Sequence, residues 1–156
     1  MKKGYFKTYI KTLFFIVVII AVIVTAIYFL KDEYDDEHFE TIKTDMLLLE
    51  GKTKVMSETV KMKQKGASYM GKKLKDALSE EQIKTLQDNK LIDTSKKEHN
   101  YYVLEKADLE TLGLEVIDIK GYYIVEYTNN EIIYSEGIEN KTGDRLYQLS
   151  EIKKAE

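Results

Sequence analysis

Phe39 to Val60 reads FETIKTDMLLLEGKTKVMSETV, and within it Phe39, Ile42, Met46, Leu49, Thr53, Met56 and Val60 recur at alternating spacings of three and four. That periodicity places them on one face of an α-helix, and such a face needs a surface to bury it. Two surfaces are open to it: a second copy of the helix, because three-four alternation is also the heptad pattern, or the chain's own domain. Charge separates them. With Phe39 at position a, Asp45 takes g and Glu50 the next e, so a parallel homodimer would oppose acid to acid. Packing on the domain is expected, with Phe39, Ile42, Met46, Leu49, Met56 and Val60 as the helix packing face. Gly51 is the weakest interior point, costing about 1 kcal/mol relative to Ala.

Upstream, the pattern changes from periodic to uniformly apolar. Between Lys11 and Lys31 lies TLFFIVVIIAVIVTAIYFL, nineteen residues without charge, amide, Gly or Pro. At 1.5 Å per residue it spans about 28 Å, the hydrocarbon thickness of a bilayer. A single transmembrane helix over 12–30 is expected, with Thr12, Leu13, Phe14, Phe15, Ile16, Ile20, Ile23, Ile27, Phe29 and Leu30 among its membrane-spanning residues. Lys2, Lys3, Lys7 and Lys11 precede it with no acid among them, whereas KDEYDDEHFE follows; this asymmetry sets the topology, with the N-terminus cytoplasmic and the remainder extracytoplasmic at the cell membrane. Tyr5, Phe6 and Tyr9 on one side and Tyr28, Phe29 and Tyr34 on the other have the look of interfacial belts. Val24-Thr25-Ala26 also suits a signal peptidase, but the apolar run continues through Ile27 to Leu30, and retention is the reading adopted. The chain has no Pro, so nothing forbids this helix from continuing into the amphipathic one.

Downstream, Gly66 and Gly71 interrupt the pattern and suggest a linker or frayed end. Lys61, Lys63, Lys65, Lys72, Lys73 and Lys75 cluster there; a solvated loop face is expected, with contact to acidic wall polymer or lipid head groups as the alternative. Ser79-Glu80-Glu81-Gln82 is a capping box that opens a helix from Glu80 to about Asp88, closed by Asn89. Tyr101 to Leu104 reads as a strand, and Ala107 to Leu112 as helical turns ended by Gly113. Tyr122 to Tyr127 and Glu131 to Tyr134 are two strands joined by Thr128-Asn129-Asn130, Asn tolerating the left-handed conformation a hairpin needs. Gly137 to Gly143 looks like a loop, and Leu146 to Leu149 a further antiparallel strand. The fold expected is α+β: the N-terminal transmembrane helix continues into an amphipathic helix packed on a small antiparallel β-meander. Its parts are a basic tail (1–11), the membrane helix (12–30), a stalk (31–65) and an extracytoplasmic domain (66–156) whose core is shared with 39–60.

Charge and composition exclude several roles. The net charge is −3, and the four N-terminal lysines leave −7 on the rest, which would repel phosphate backbones; nucleic acid is not an expected partner. There is no Cys, hence no disulfide framework, thiolate nucleophile or Cys-held metal; in an exported chain this suits bacteria bounded by a single membrane. His38 and His99 stand in unrelated contexts. Asp35 lies three residues before His38 and shares its helical face, but a solvated acidic collar is the expectation, and Asp32, Asp35, Asp36 and Glu37 lack the spacing of a calcium loop. No Gly-rich phosphate loop or Gly-flanked nucleophile is present. Neither cofactor, metal site nor enzymatic activity is expected. Asn140-Lys141-Thr142 fits a glycosylation triplet and marks an exposed turn. Seven tyrosines, at 101, 102, 122, 123, 127, 134 and 147, fall in the sheet region; half-buried strand positions favour Tyr, and a glycan-binding surface is the alternative.

A long N-terminal helix, apolar first and amphipathic afterwards, laid against a small meander resembles the type IV pilin and pseudopilin architecture. YYIVEYTNNEIIYSEGI, from Tyr122, is similar to the terminal hairpins of pilin-like proteins from Gram-positive bacteria. The resemblance implies a subunit that packs through its hydrophobic helices into an envelope assembly. Gly4-Tyr5 matches the Gly-aromatic pair of prepilins, while Tyr9 stands where they carry Glu, and Lys7 and Lys11 interrupt the apolar stretch. The function expected is that of a membrane-anchored structural or interaction protein whose partners are the lipid bilayer and envelope proteins or further copies of itself. An extracytoplasmic binding module for wall polymer or a small ligand is the alternative.

Overall fold

In the computed structural model the described residues are 3–95, 99–114 and 120–155, with the side chains of 3–15 and 29–36 outside them. The chain divides into two compact units, Met1–Glu37 and His38–Glu156. Helix α1, Lys3–Lys61, is assigned without a break through both, Gly51 included. In the first unit, the side chains from Ile16 to Tyr28 are all exposed, the large apolar ones from 43% (Val18) to 70% (Tyr28). The hydroxyl of Thr25 donates to the Ala21 carbonyl at 2.8 Å, so even this polar group is satisfied within the helix.

Among the described residues no helix is long and apolar enough to cross a membrane. Of the apolar run 12–30, side chains are described for 16–28. Thr12, Leu13, Phe14, Phe15, Phe29 and Leu30, the topology-setting Lys2, Lys3, Lys7 and Lys11, the belt residues Tyr5, Phe6, Tyr9 and Tyr34, and the acids Asp32, Asp35 and Asp36 lie outside the described side chains.

The second unit is α+β. After α1 come β1 (Lys72–Lys73), α2 (Leu74–Ala77), α3 (Glu80–Asp88), β2 (Tyr101–Leu104), α4 (Lys106–Thr111), β3 (Tyr123–Glu126), β4 (Glu131–Glu139), β5 (Arg145–Gln148) and α5 (Leu149–Ile152). The strands form one sheet in the order β1-β2-β3-β4-β5, every neighbouring pair antiparallel. The capping box opens α3 as its sequence requires: Ser79 Oγ accepts from Gln82 N–H at 3.3 Å and Gln82 Oε1 accepts from Ser79 N–H at 2.9 Å. Between β3 and β4, Asn130 adopts φ 57°, the left-handed geometry expected of that turn.

Central β3 is buried on both faces. Tyr123 and Val125, with Tyr127 just beyond the strand, join Ile42, Met46 and Leu49 of α1 in one apolar cluster. Ile124 joins Val103, Ile133, Leu74 and Leu86 in a second. The alternation of strand side chains thus feeds two layers, α1 on one face and α2–α3 on the other. The α1 stripe therefore covers one face of the sheet and α2–α3 the other.

Two findings concern glycines. Residues 62–71 carry neither helix nor strand, as a linker would, but the linker ends at Gly71: Lys72–Lys73 pair with β2 and α2 follows. At Gly71 (φ 93°) an added Cβ would lie 2.6 Å from the Val103 carbonyl oxygen, so the close approach to β2 depends on a bare backbone. Instead of a loop from Gly137, β4 continues to Glu139 through a register shift between Ile133 and Ile138. Gly137 takes φ 64° there, and a Cβ would meet Arg145 and Tyr147 at 2.8 Å. The residue that resembled a strand terminator is what lets the strand bulge and go on.

Candidate functional site

The core side of α1 runs through Ile42, Met46, Leu49, Thr53 and Ser57, each no more than 2% exposed. Of the expected packing face, Ile42, Met46 and Leu49 are buried, Phe39 and Met56 are partly buried against the same cluster, and Val60 is half-buried and belongs to neither cluster. The buried line turns through Ser57 instead, one position beyond Met56 and four beyond Thr53.

Polar groups at this end of the stripe dock the β3–β4 turn. Ser57 Oγ donates to the Tyr127 carbonyl at 3.1 Å, Thr53 Oγ1 lies 3.3 Å from Asn130 Oδ1, and Asn130 Nδ2 donates to the Glu50 carbonyl at 3.3 Å. Thr53 also bonds the Leu49 carbonyl at 2.7 Å, leaving its buried hydroxyl satisfied. Tyr127 extends the junction: its O–H donates to the Met70 carbonyl at 3.0 Å and accepts the Met70 N–H at 3.1 Å. Burial pushes this phenol up to about 12. Tyr69 stacks on Tyr127 at 4.4 Å, and Tyr102 meets it edge-on at 5.4 Å.

Glu126, 2% exposed, holds the turn from below. Its carboxylate accepts N–H groups of Asn100 (3.2 Å), Thr128 (2.9 Å) and Asn129 (2.7 Å), and His99 Nδ1 stands 3.7 Å away. A buried carboxylate so fully engaged by backbone donors is a structural pin, since its lone pairs are already committed. His99 stacks beside Tyr101 at 5.7 Å, and exposed His38 sits apart on α1. Among the described residues no group of three His, Cys, Asp or Glu is placed to hold a metal ion.

The seven tyrosines of the sheet region divide by burial. Tyr123, Tyr127 and Tyr134 are core residues at 0–2% exposure, and Tyr101, Tyr102, Tyr122 and Tyr147 are half-buried. Burial raises Tyr123 and Tyr134 above the usual phenol range.

What remains open is the opposite side of α1. Leu48, Val55 and Met62 stand 47%, 68% and 69% exposed at steps of seven, with Leu47 beside them at 39%. Next to this line a groove of about 610 Å³ is walled by Lys52, Val55, Met56 and Thr59 of α1, by 66–71, and by Asp108. Asp108 is engaged at its own helix start, accepting the Glu105 N–H at 2.8 Å. Sequence reasoning missed Ser57, Glu126 and this outward line. A helical wheel drawn without regard to polarity would have placed Ser57 inward and Val55 outward.

No protein-family model matches the chain, and neither a curated protein nor a solved structure does.

Proposed function

We propose that this chain is a membrane-anchored structural or interaction subunit of the cell envelope, pilin-like in layout, with a basic cytoplasmic tail and its α+β unit on the outer side. The observation that carries the proposal is the succession of large apolar side chains from Ile16 to Tyr28, every one at least 43% exposed. They belong to a run that stays uncharged from Thr12 to Leu30. Soluble surfaces rarely leave such an apolar patch uncovered, and a helix apolar on all sides is suited to lipid or to other apolar helices. Its lysine-rich N-terminal flank and acidic C-terminal flank favour the orientation stated. The outward unit has a polar junction whose groups are satisfied within the unit, which suits a rigid assembly subunit.

Alkaline carbonate washing of native membranes tests the anchor: the intact chain is expected to stay in the membrane fraction. A cysteine introduced as Glu139→Cys should react with an impermeant thiol reagent in intact cells, and Lys3→Cys should react only after permeabilisation. Release by carbonate, a mature N-terminus at Ile27, or the reverse labelling pattern overturns the proposal.

A further inference from the structure

We infer that the outward face of α1 between Leu48 and Met62 is a docking surface for an amphipathic helix of another protein, one carrying acidic residues beside its apolar seam. Leu48 and Val55 are spaced by seven on α1, and Met62, seven further, follows its last residue with its N–H still bonded to the Glu58 carbonyl at 2.9 Å, so the three keep one line for about 21 Å. That line is exposed while Leu49, Thr53 and Ser57 on the opposite side of the same helix are buried, so the domain has already chosen its own face and left this one free. The groove beside Val55 gives the surface a second wall, formed by 66–71, and makes it concave. Gly51 lies on the same side and has nothing within 4 Å of its absent Cβ, which lets a partner backbone come close.

Charge selects the occupant. From Lys52 to Lys65 the chain carries five lysines and one acid, Glu58, which is paired with Lys61 at 3.0 Å. Lys52, Lys54, Lys63 and Lys65 are exposed and make no ion pair among the described residues. An apolar line with a cationic rim complements a helix with Leu-type residues at a and d and Glu at e and g. A second copy suits it poorly: on the anchored reading proposed above, copies in one membrane run parallel, and in register they would set lysine rim against lysine rim. The inference rests on that reading for excluding the second copy, and on geometry and charge alone for the rest.

The test uses the full chain in detergent, titrated with a fluorescent synthetic helix about three heptads long with Leu at a and d and Glu at e and g. A peptide with Lys in place of Glu is the control. Saturable binding of the acidic peptide is expected, with little from its lysine counterpart. Lys52→Glu with Lys54→Glu should weaken it about tenfold or more, and Val55→Asp should weaken it further. These positions are exposed, and an unchanged thermal midpoint verifies that the variants fold. Equal binding of both peptides, no binding, or indifference to Val55→Asp overturns the inference. So does a disulfide between copies of Val55→Cys in nanodiscs, which would put a second copy on the face. An environment-sensitive dye at residue 55 that responds to anionic but not neutral nanodisc lipid, with no response to peptide, would assign the face to lipid and also overturn it. None of these readouts depends on carbonate extraction, so failure here is distinguishable from failure of the anchor.

Discussion

Two stretches of α1 carry large apolar side chains at similar density and meet opposite fates. Ile42, Met46 and Leu49 are sunk to 0–2% exposure under the sheet, whereas from Ile16 to Tyr28 the large apolar side chains all stand open. Periodicity is the difference. Where polar residues intervene at helical spacing, one face is defined and the chain's own sheet can cover it; where they do not, no face is singled out for a sheet to cover. Even the periodic stretch has a remainder, because Leu48 and Val55 fall outside the arc that β3 and β4 can reach.

The comparison breaks most visibly at Leu49. Leu49→Ala is expected to cost about 2–5 kcal/mol, since the side chain is fully enclosed by the cluster that joins α1 to the sheet. Val55→Ala, on the same helix but 68% exposed, should fall within about 0.5 kcal/mol of the parent. Equilibrium denaturation of the detergent-solubilised chain, followed through the tyrosine signal of the sheet, checks both. Equal losses would mean that the outward line is covered in solution.

How much was legible in the sequence follows the range of the forces involved. Ser79 and Gln82 bond one another within a single turn, so α3 could be read from four letters. The β3 turn was equally local, because Asn130 supplies its own left-handed residue. Burial of the α1 stripe was legible as far as Met56 because apolar spacing is a one-dimensional signal. Ser57 and Glu126 were not: each is buried by partners distant along the chain or by a turn that exists only once folded, and no local pattern announces a polar residue whose bonds will be made that way. Two-residue β1 has no period to detect, and Gly137 was misread because glycine marks both a chain that stops and one that comes too close for a Cβ. The outward line was visible as letters, but which of two faces a helix turns inward is fixed by the sheet it meets.

Ser57→Ala sharpens the polar half of the comparison. It removes the donor to the Tyr127 carbonyl, leaving a buried acceptor without that bond, and should cost about 1 kcal/mol or somewhat more. Thr59→Ala is its outward control: that hydroxyl donates to the Val55 carbonyl of its own helix, and the substitution should be near neutral. If both variants unfold at the same denaturant concentration, the junction contributes no more than helix propensity.

The smallest effect is expected at Asp45, on the margin between the two faces. Partial burial raises its carboxyl above the ordinary 3.8, and the Tyr123 hydroxyl, donating at 3.4 Å, opposes that rise only in part. A carboxyl whose folded pKa is raised contributes stability that is complete below the unfolded value and is lost as pH climbs through the folded one. Asp45 is therefore a slight liability at neutral pH, when it is charged. Asp45→Asn keeps the shape and an acceptor for Tyr123 while removing the charge. The variant should unfold at a slightly higher denaturant concentration than the parent at pH 7, and the gap should close as pH falls below 3.8. A variant weaker than its parent at pH 7 would mean that the long Tyr123 bond outweighs desolvation, and would move Asp45 from the margin into the set of groups that hold α1 on the sheet.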